Sequence, residues 1–563
     1  MKNKIKLTSI LSGLLTLAFL VFFTIWTCRI DLTEDSRYSI SDCTKELIKG
    51  FDTPLQITLY LNGDLNPAFL RLRKTTIDMI DDLSNDAKYT ISINNINPSD
   101  ADSEEQRLSN YALLAERGLK PSEVYMRDKD GKSIRKIIFP WIEIMTKEQT
   151  IAVPLLKNIR NKSGEENINI SIENLEFEIS DALSRLKNKE IRKIAFLEGH
   201  GELTEAETYQ ISKSLSKYFQ IDRGELQNDA SVLNDYQAII IANPVNAFNE
   251  REKYILDQYI MYGGSVLWLV NGVRFDKQQL SQQGFSPVIE ADLNLNDLFF
   301  RYGIRINPVL VQDMQCVYMP INIAPAGEQA QFDLVPWHFS PLLLSSDAHP
   351  ITKNTGEIMA EFISTISTTE QHQELQTDVL LATSNRSKIL PVPASITLNE
   401  SGDSDESSFN TGYLPVAILI SGIFQSNFTN RIPPKDIKNN RPFRTQSIET
   451  KQLFIAGGSI IRNETNGIAS DSTTLPLGYD RIMNATFGNE TFLINAINYL
   501  TNQDERIQLR AKTFKTRLLN QHISKQKRTT LQIVNVVLPL VILIFFAFIF
   551  NGYRKKTYAA KKQ

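Results

Sequence analysis

Residues 191–207 read IRKIAFLEGHGELTEAE, and this stretch decides the fold. Residues 191–197 form an apolar strand of the kind buried on both faces, and 198–203 a glycine-containing turn. Thr204-Glu205-Ala206-Glu207 is a capping box: the Thr204 hydroxyl takes one open helix N–H while Glu207 reaches back to another. Ile211, Leu215, Tyr218 and Phe219 then share one helix face. The alternation repeats, with a buried strand at 238–242, a helix at 249–262 capped by Gly263-Gly264, and a further strand at 265–270. Buried strands separated by helices predict a parallel sheet covered on both faces.

Towards the N-terminus the pattern is strand (55–61), helix (67–85, with Leu72, Ile77, Ile80 and Leu83 apolar) and strand (89–96). A helix at 104–117 is stopped by Gly118 with Pro121 beyond. Strands at 124–127 and 134–139 flank 128–132, where Asp130-Gly131 reads as a hairpin turn. A helix at 172–186 leads into the basic stretch 185–193. The expectation is a small α/β domain over 31–187. Towards the C-terminus, strands are expected at 309–312, 379–383, 416–420 and 453–455, polar loops at 400–410 and 430–444, and a last helix at 492–500. The expected divisions are an α/β domain over 190–350, a strand-rich continuation over 351–505 and a basic stalk over 506–530.

Both ends are apolar. Residues 7–28 and 531–550 each run about 20 residues without a charge, enough to cross a bilayer as a helix. The first run is longer than a signal-peptide core and no A-x-A site follows it, so it is expected as an uncleaved anchor. Lys2, Lys4 and Lys6 before it place the N-terminus in the cytosol and the body outside. The second span returns the chain to a basic cytoplasmic tail, 551–563. Lys525, Lys527 and Arg528, on the outer flank of that span, run against the rule. The expected location is a bacterial inner membrane, with two spans, the bulk of the chain periplasmic and both termini cytoplasmic. A net charge of −3 and a pI near 6.1 make no case for nucleic acid as a partner. Three cysteines, Cys28, Cys43 and Cys316, are too few for a disulfide framework; a Cys43–Cys316 bridge and unpaired thiols both stay open.

Glu198-Gly199-His200-Gly201-Glu202 is the candidate site. It lies where a strand's carboxyl end meets a helix N-terminus, the place where open α/β sheets bind ligands and where N–H groups attract anions. His200 and Glu202 can serve as acid and base, contact a ligand or partner, or simply hold a turn by hydrogen bonds. With five histidines in the chain and no others spaced as ligands beside this pair, a metal site is not expected. Gly131-Lys132-Ser133 resembles the tail of a phosphate-binding loop, but Met126 stands where the motif needs glycine, so it reads as an exposed turn. No other Walker-type sequence occurs, and ATP-driven work falls to another chain. Asp403, Asp405 and Glu406 begin like a calcium loop, yet Ser407 and Ser408 replace a ligand and the glycine, which leaves a solvated acidic loop. No cofactor is expected.

A β/α domain of this order resembles class I glutamine amidotransferases, with a flavodoxin-like sheet. Here Asn271-Gly272 follows the strand at 265–270, so the nucleophile's elbow holds neither Cys nor Ser, and no motif places a histidine beside Cys316. The expected domain is a catalytically empty version of that fold.

Several segments together resemble the gliding-motility-associated ABC transporter auxiliary proteins of the GldG type, from Bacteroidota. They are Arg71-Leu-Arg-Lys-Thr, Gly118-Leu-Lys-Pro-Ser, Ile138-Phe-Pro-Trp141, Ser171-Ile-Glu-Asn-Leu-Glu176 and Phe196-Leu-Glu-Gly-His-Gly-Glu-Leu203. Leu414-Pro-Val-Ala417 with Gly422-Ile-Phe-Gln-Ser426, Pro476-Leu-Gly-Tyr-Asp480 and Phe492-Leu-Ile-Asn-Ala-Ile-Asn-Tyr-Leu500 follow in order. One departure is Gly457-Gly458-Ser459, where the resemblance leads one to expect acidic residues. The resemblance implies a non-catalytic, membrane-anchored, substrate-binding-like subunit working with an integral-membrane permease and a cytoplasmic ATPase, in contact with membrane lipid. It also implies a central domain related to a module of intraflagellar transport proteins for which sugar binding has been proposed. The alternatives are a membrane-tethered glycan-binding scaffold and an ectohydrolase using His200 and Glu202.

Overall fold

The computed structural model describes residues 40–502, apart from 128–132, 158–162, 188–191, 325–327, 347, 354, 370–374, 399–404, 436, 439–440 and 467–472, and residues 528–559. Residues 40–502 fall in one compact unit and 528–559 in another. The expected first span, the turn at 128–132 and nearly all of the basic stalk lie outside the described residues.

The chain opens on helix α1 (Asp42–Lys49), capped by Ser41, whose Oγ accepts from Thr44 N. Strand β1 (Leu55–Leu59), helix α2 (Pro67–Asp86) and strand β2 (Ile91–Asn95) make a parallel crossover unit. Asn66 caps α2 and Pro67 supplies the preset backbone at its first turn. Helix α3 (Glu104–Glu116) ends before Gly118, whose φ of +86° is the left-handed stop expected there. Strands β3 (Ser122–Arg127) and β4 (Ser133–Ile138) pair antiparallel. A second pair, β5 (Trp141–Met145) and β6 (Thr150–Pro154), completes a sheet of order β2-β1-β5-β6. Helix α4 (Gly164–Lys187) starts well before the expected 172. Its Leu175, Ile179 and Leu183 share a core with Leu72 and Leu83 of α2 and Ile57 and Leu59 of β1. Buried Glu176 accepts from Ser41 N (2.7 Å) and Thr44 Oγ1 (2.9 Å), which ties α1 to α4.

The central region is built on strand β7 (Arg192–Glu198), helix α5 (Tyr209–Leu215), strands β8 (Phe219–Glu225) and β9 (Tyr236–Ala242), helix α6 (Glu250–Met261) and strand β10 (Ser265–Leu269). Short helices α7 (Lys277–Gln283) and α8 (Asn296–Arg301) follow, then strands β11 (Cys316–Asn322), β12 (Phe332–Ser345), β13 (Gln376–Ala382), β14 (Pro415–Gly422) and β15 (Thr450–Ile455), and helix α9 (Asn489–Leu500). These strands form a ten-stranded sheet of order β11-β12-β13-β14-β15-β10-β9-β7-β8, with a short strand (Ile358–Met359) beside β12. The five strands β8, β7, β9, β10 and β15 run parallel, and β14, β13, β12 and β11 extend the sheet antiparallel. Numbered along the chain, the parallel strands stand in the doubly wound order 2-1-3-4-5, so the winding reverses between β7 and β9.

Side chains alternate across the sheet, which is why these strands read as unbroken apolar runs. Ile194, Phe196, Ile240, Leu267, Leu269, Leu453 and Ile455 face α5 and α9. Leu197, Ile239, Ile241, Val266, Trp268 and Phe454 face α6 and α8. Residues on either side of 350 share the first of these cores, Leu343 and Ile351 packing with Leu380 and Leu453, so one core continues through the division expected there. The capping-box bonds at Thr204 form (Thr204 N to Glu207 Oε2, 3.0 Å), but they close a turn, and α5 begins only at Tyr209. On α6, Asn249 and Glu252 make a capping box that opens the helix directly.

In the second unit, helix α10 (Arg528–Ala559) contains Gln532–Lys555, 24 residues long and apolar enough to cross a membrane. The helix as a whole exceeds the expected 531–550 at both ends, its apolar run only at the C-terminal end, and Pro539 sits inside it, as membrane helices tolerate.

Trp268 is fully buried, stacked on Phe454 and edge-on to Phe299, with its indole N–H unpartnered among the described residues. Trp268→Ala is expected to cost about 3–5 kcal/mol in urea unfolding through the cavity it leaves. Trp268→Phe, which keeps a ring and removes an unsatisfied donor, is expected to cost clearly less.

Candidate functional site

The turn after β7 places His200 at the reversal of winding between β7 and β9. The chain can turn there because Gly199 (φ +112°) and Gly201 (φ +71°) adopt left-handed backbone, and a Cβ on Gly201 would lie 2.5 Å from Val245 Cγ2. The His200 carbonyl accepts from Val245 N (2.8 Å) and Asn246 N (2.9 Å), joining the turn to the loop after β9. The imidazole, 4% exposed, stacks on Phe248 with ring centroids 3.6 Å apart. Its Nδ1 lies 3.1 Å from Glu202 Oε1 and its Nε2 3.0 Å from Glu252 Oε2. Glu202 also accepts from His200 N (2.7 Å), and Glu252 from Asn249 N (2.8 Å), so each carboxylate is held by backbone as well.

Both ring nitrogens face carboxylate oxygens, which only accept, so the ring satisfies both as an imidazolium. Burial alone pushes the His200 pKa down, but the hydrogen bonds and charges of Glu202 and Glu252 outweigh it and hold the pKa above the ordinary value. Glu198, the third candidate, points away from this cluster. Its Oε1 takes a 2.7 Å bond from Arg223 Nε, and the same guanidinium bonds Thr208 Oγ1 and Leu203 O and lies over the Phe196 ring. The arrangement therefore brings His200 and Glu202 together, adds Glu252, which sequence reasoning missed, and leaves Glu198 outside. Neither ring nitrogen is left to take a proton from a substrate. Chemically the turn is a charged latch between β7 and α6.

Other sequence expectations fall elsewhere. Cys43 and Cys316 are not in a disulfide. Cys316 Sγ stands 3.7 Å from His338 Nδ1, a neighbour no motif announced. Burial, with Asp313 nearby, pushes that thiol up to about 12, and His338 Nδ1 also meets Asp313 O at 3.0 Å, so the pair lacks the thiolate a nucleophile needs. Asp405 caps a single turn (Glu406–Ser408) through Ser407 N and Oγ, while Asp403 lies outside the described residues. Among the described residues no group of three or more His, Cys, Asp or Glu is placed to hold a metal ion.

Beside the latch, a crevice opens at the carboxyl ends of β9, β10 and β15, with a cavity of ≈160 Å³. Asn243 after β9, itself left-handed (φ +58°), Asn271 after β10 and Gly458 after β15 are linked: Asn271 Nδ2 donates to Asn243 Oδ1 (3.0 Å) and Asn271 Oδ1 accepts from Gly458 N (2.8 Å). A side chain at position 458 would strike Asn243, which accounts for glycine where the resemblance led to acidic residues. At the rim, Lys277 Nζ (2.9 Å) and Arg462 Nη2 (2.8 Å) both bind Glu361 Oε2. Sequence reading singled out Asn271 and Gly458 here but not Asn243, Lys277, Glu361 or Arg462.

A family model described as ABC-type uncharacterized transport system matches residues 192–496, more than half of the chain. A domain of unknown function matches residues 34–145. An uncharacterized protein of Borreliella burgdorferi is 23% identical over 568 residues, covering 99% of this chain and 100% of that protein. Among solved structures, the mmIFT52 N-terminal domain matches with 14% identity and a TM-score of 0.32, over 55% of this chain and 97% of that one.

The latch makes stability pH-dependent. A folded-state His pKa raised above an unfolded value of about 6.5 gives stability that is complete below that value and lost as pH rises through the folded-state pKa. Melting temperatures across pH 5–9 (roughly the range where His titrates) should fall on the alkaline side in the parent and fall less in His200→Gln. His200→Ala should cost about 3 kcal/mol at neutral pH by leaving Glu202 buried without its cation. Equal pH slopes in parent and His200→Gln would show that the ring is neutral in the fold.

Proposed function

The chain belongs to the ABC-type uncharacterized transport system family, as an auxiliary component, and from that premise we propose that it is a non-catalytic, membrane-anchored subunit working with a separate permease and ATPase. The observation that carries the reading is the coupling of the family-matched body to a C-terminal helix fit to cross a membrane. The body has no Walker-type sequence, so the energy of transport comes from a partner. His200, engaged at both nitrogens, supports a structural turn in preference to an ectohydrolase centre.

The finer reading is a GldG-type subunit of a gliding-motility complex in a bacterial inner membrane. Residues 7–28 form the second anchor, the body faces the periplasm, and both termini are cytoplasmic. The chain organises as an N-terminal α/β domain, a catalytically empty, amidotransferase-like α/β domain with its strand-rich continuation, and a basic stalk touching lipid headgroups or the permease. The 2-1-3-4-5 strand order and the lysines and arginines of 506–530 support these assignments. A glycan-binding scaffold is the other binding role open to such a body.

Two purifications test the proposal. Full-length chain extracted in a mild detergent is expected to bring down a permease and an ATPase, identified by mass spectrometry. A chain ending at Asn502 is expected to stay in the membrane fraction through residues 7–28 but to lose the permease. Recovery of the full-length chain without either partner would sink the transporter reading, and release of the truncated chain into the soluble fraction would sink the second anchor.

A further inference from the structure

The hydrogen-bonding capacity left over in the crevice at the ends of β9, β10 and β15 is mostly donor and cationic. The Asn271 carboxamide is used at both ends, and Asn243 Oδ1 is taken, which leaves Asn243 Nδ2 as a donor with no partner among the described residues. The Arg274 guanidinium, exposed at the mouth, likewise meets no carboxylate there. Lys277 and Arg462 both spend one donor on the same oxygen of Glu361, so two cations share one carboxylate and a positive charge remains. Burial works to raise the Glu361 pKa, but Lys277 and Arg462 prevail and keep it below the ordinary value, so that carboxylate stays ionised and paired. The walls are partly apolar, from Val245, Val273 and Phe362, which strengthens charge–charge attraction inside.

We propose that this crevice binds a small oxyanion, a carboxylate or phosphate group on a compact solute, held by Asn243 Nδ2, Arg274 and the outer donors of Lys277 and Arg462. The lining sets three cations, Arg274, Lys277 and Arg462, against one carboxylate, Glu361, already paired with two of them, so the complementary ligand is an acceptor with negative charge. The ≈160 Å³ cavity lies below the roughly 300–1,000 Å³ of sites for drug-sized ligands, which favours a compact solute over an oligosaccharide. The location is the carboxyl edge of the parallel strands, where doubly wound sheets take ligands, and the latch at His200 fills the neighbouring position between β7 and β9. The site does not depend on the transporter reading and stands or falls separately.

The test is titration calorimetry on the detergent-solubilised full chain with inorganic phosphate, acetate and, as an uncharged control, glucose. Saturable binding of phosphate, acetate or both is expected, weakening as sodium chloride is added. Arg274→Ala, which removes an exposed side chain, is expected to weaken it roughly tenfold, the loss of one charge-assisted hydrogen bond. Asn243→Asp keeps the acceptor for Asn271, tolerates the left-handed backbone and puts a negative charge on the floor, so it is expected to abolish binding. No saturable binding of either anion, binding of glucose in their place, or unchanged anion affinity in Arg274→Ala would overturn the proposal. Should Asn243→Asp fail to fold, Arg274→Ala decides alone.

Discussion

The parallel pairing of β10 with β15 is the constraint on which the rest of the central region depends. The two strands are far apart in sequence, and all that lies between, including the antiparallel half of the sheet, is an excursion that must return to this one register. Buried polar bonds pin that register. Gln452 is fully buried, its Oε1 accepts from Val266 N (3.1 Å) and its Nε2 donates to Gly264 O (3.0 Å). A slip of one residue would strand both ends of that side chain and turn Leu453 and Phe454 to the wrong faces. The same pairing brings Asn271 and Gly458 side by side, so the crevice exists only when the excursion has closed. Contacts of such sequence separation form late, because loop closure is costly before they are made.

What was legible in the sequence was what local rules govern. The strands 192–198, 236–242 and 265–269 announce themselves because burial on both faces demands consecutive apolar residues through their centres. Helix ends marked by Gly118 and Gly263 follow from left-handed stops. The strand pair β5–β6 was hidden: the expected strand stops at 139, before Pro140, and none was expected over 141–154. Strand β12 was hidden by Pro336 and Pro341, residues that argue against strand interiors. It accommodates them opposite β11 where the register shifts between Cys316 and Tyr318. At the candidate site, His200 and Glu202 were legible as neighbours in sequence. Glu252 was not, since nothing local says that the first turn of α6 will reach back across the sheet edge to the imidazole.

The carboxyl edge of the sheet is thus divided between two uses. At the reversal of winding, where the fold offers its most open position, the chain supplies its own occupant: an imidazolium between two carboxylates, sealed by Phe248. Two strands further on, the edge is lined by amides and cations with donors to spare. The first use spends charge to join β7 to α6, and the second leaves charge unspent. Catalytic groups are not needed for either.

Helix α9 is the last element of the first unit among the described residues. It is not a surface helix: Phe492, Leu493, Ala496, Ile497 and Leu500 are buried against the sheet, and Asn489 and Asn495 are tied to the backbone of Met359, Ile460 and Ile351. Tension arriving along the chain from residue 503 is therefore borne by an element rooted in the central core. Such a tether transmits load to the sheet as a whole, and it can be pulled free only by opening the core itself.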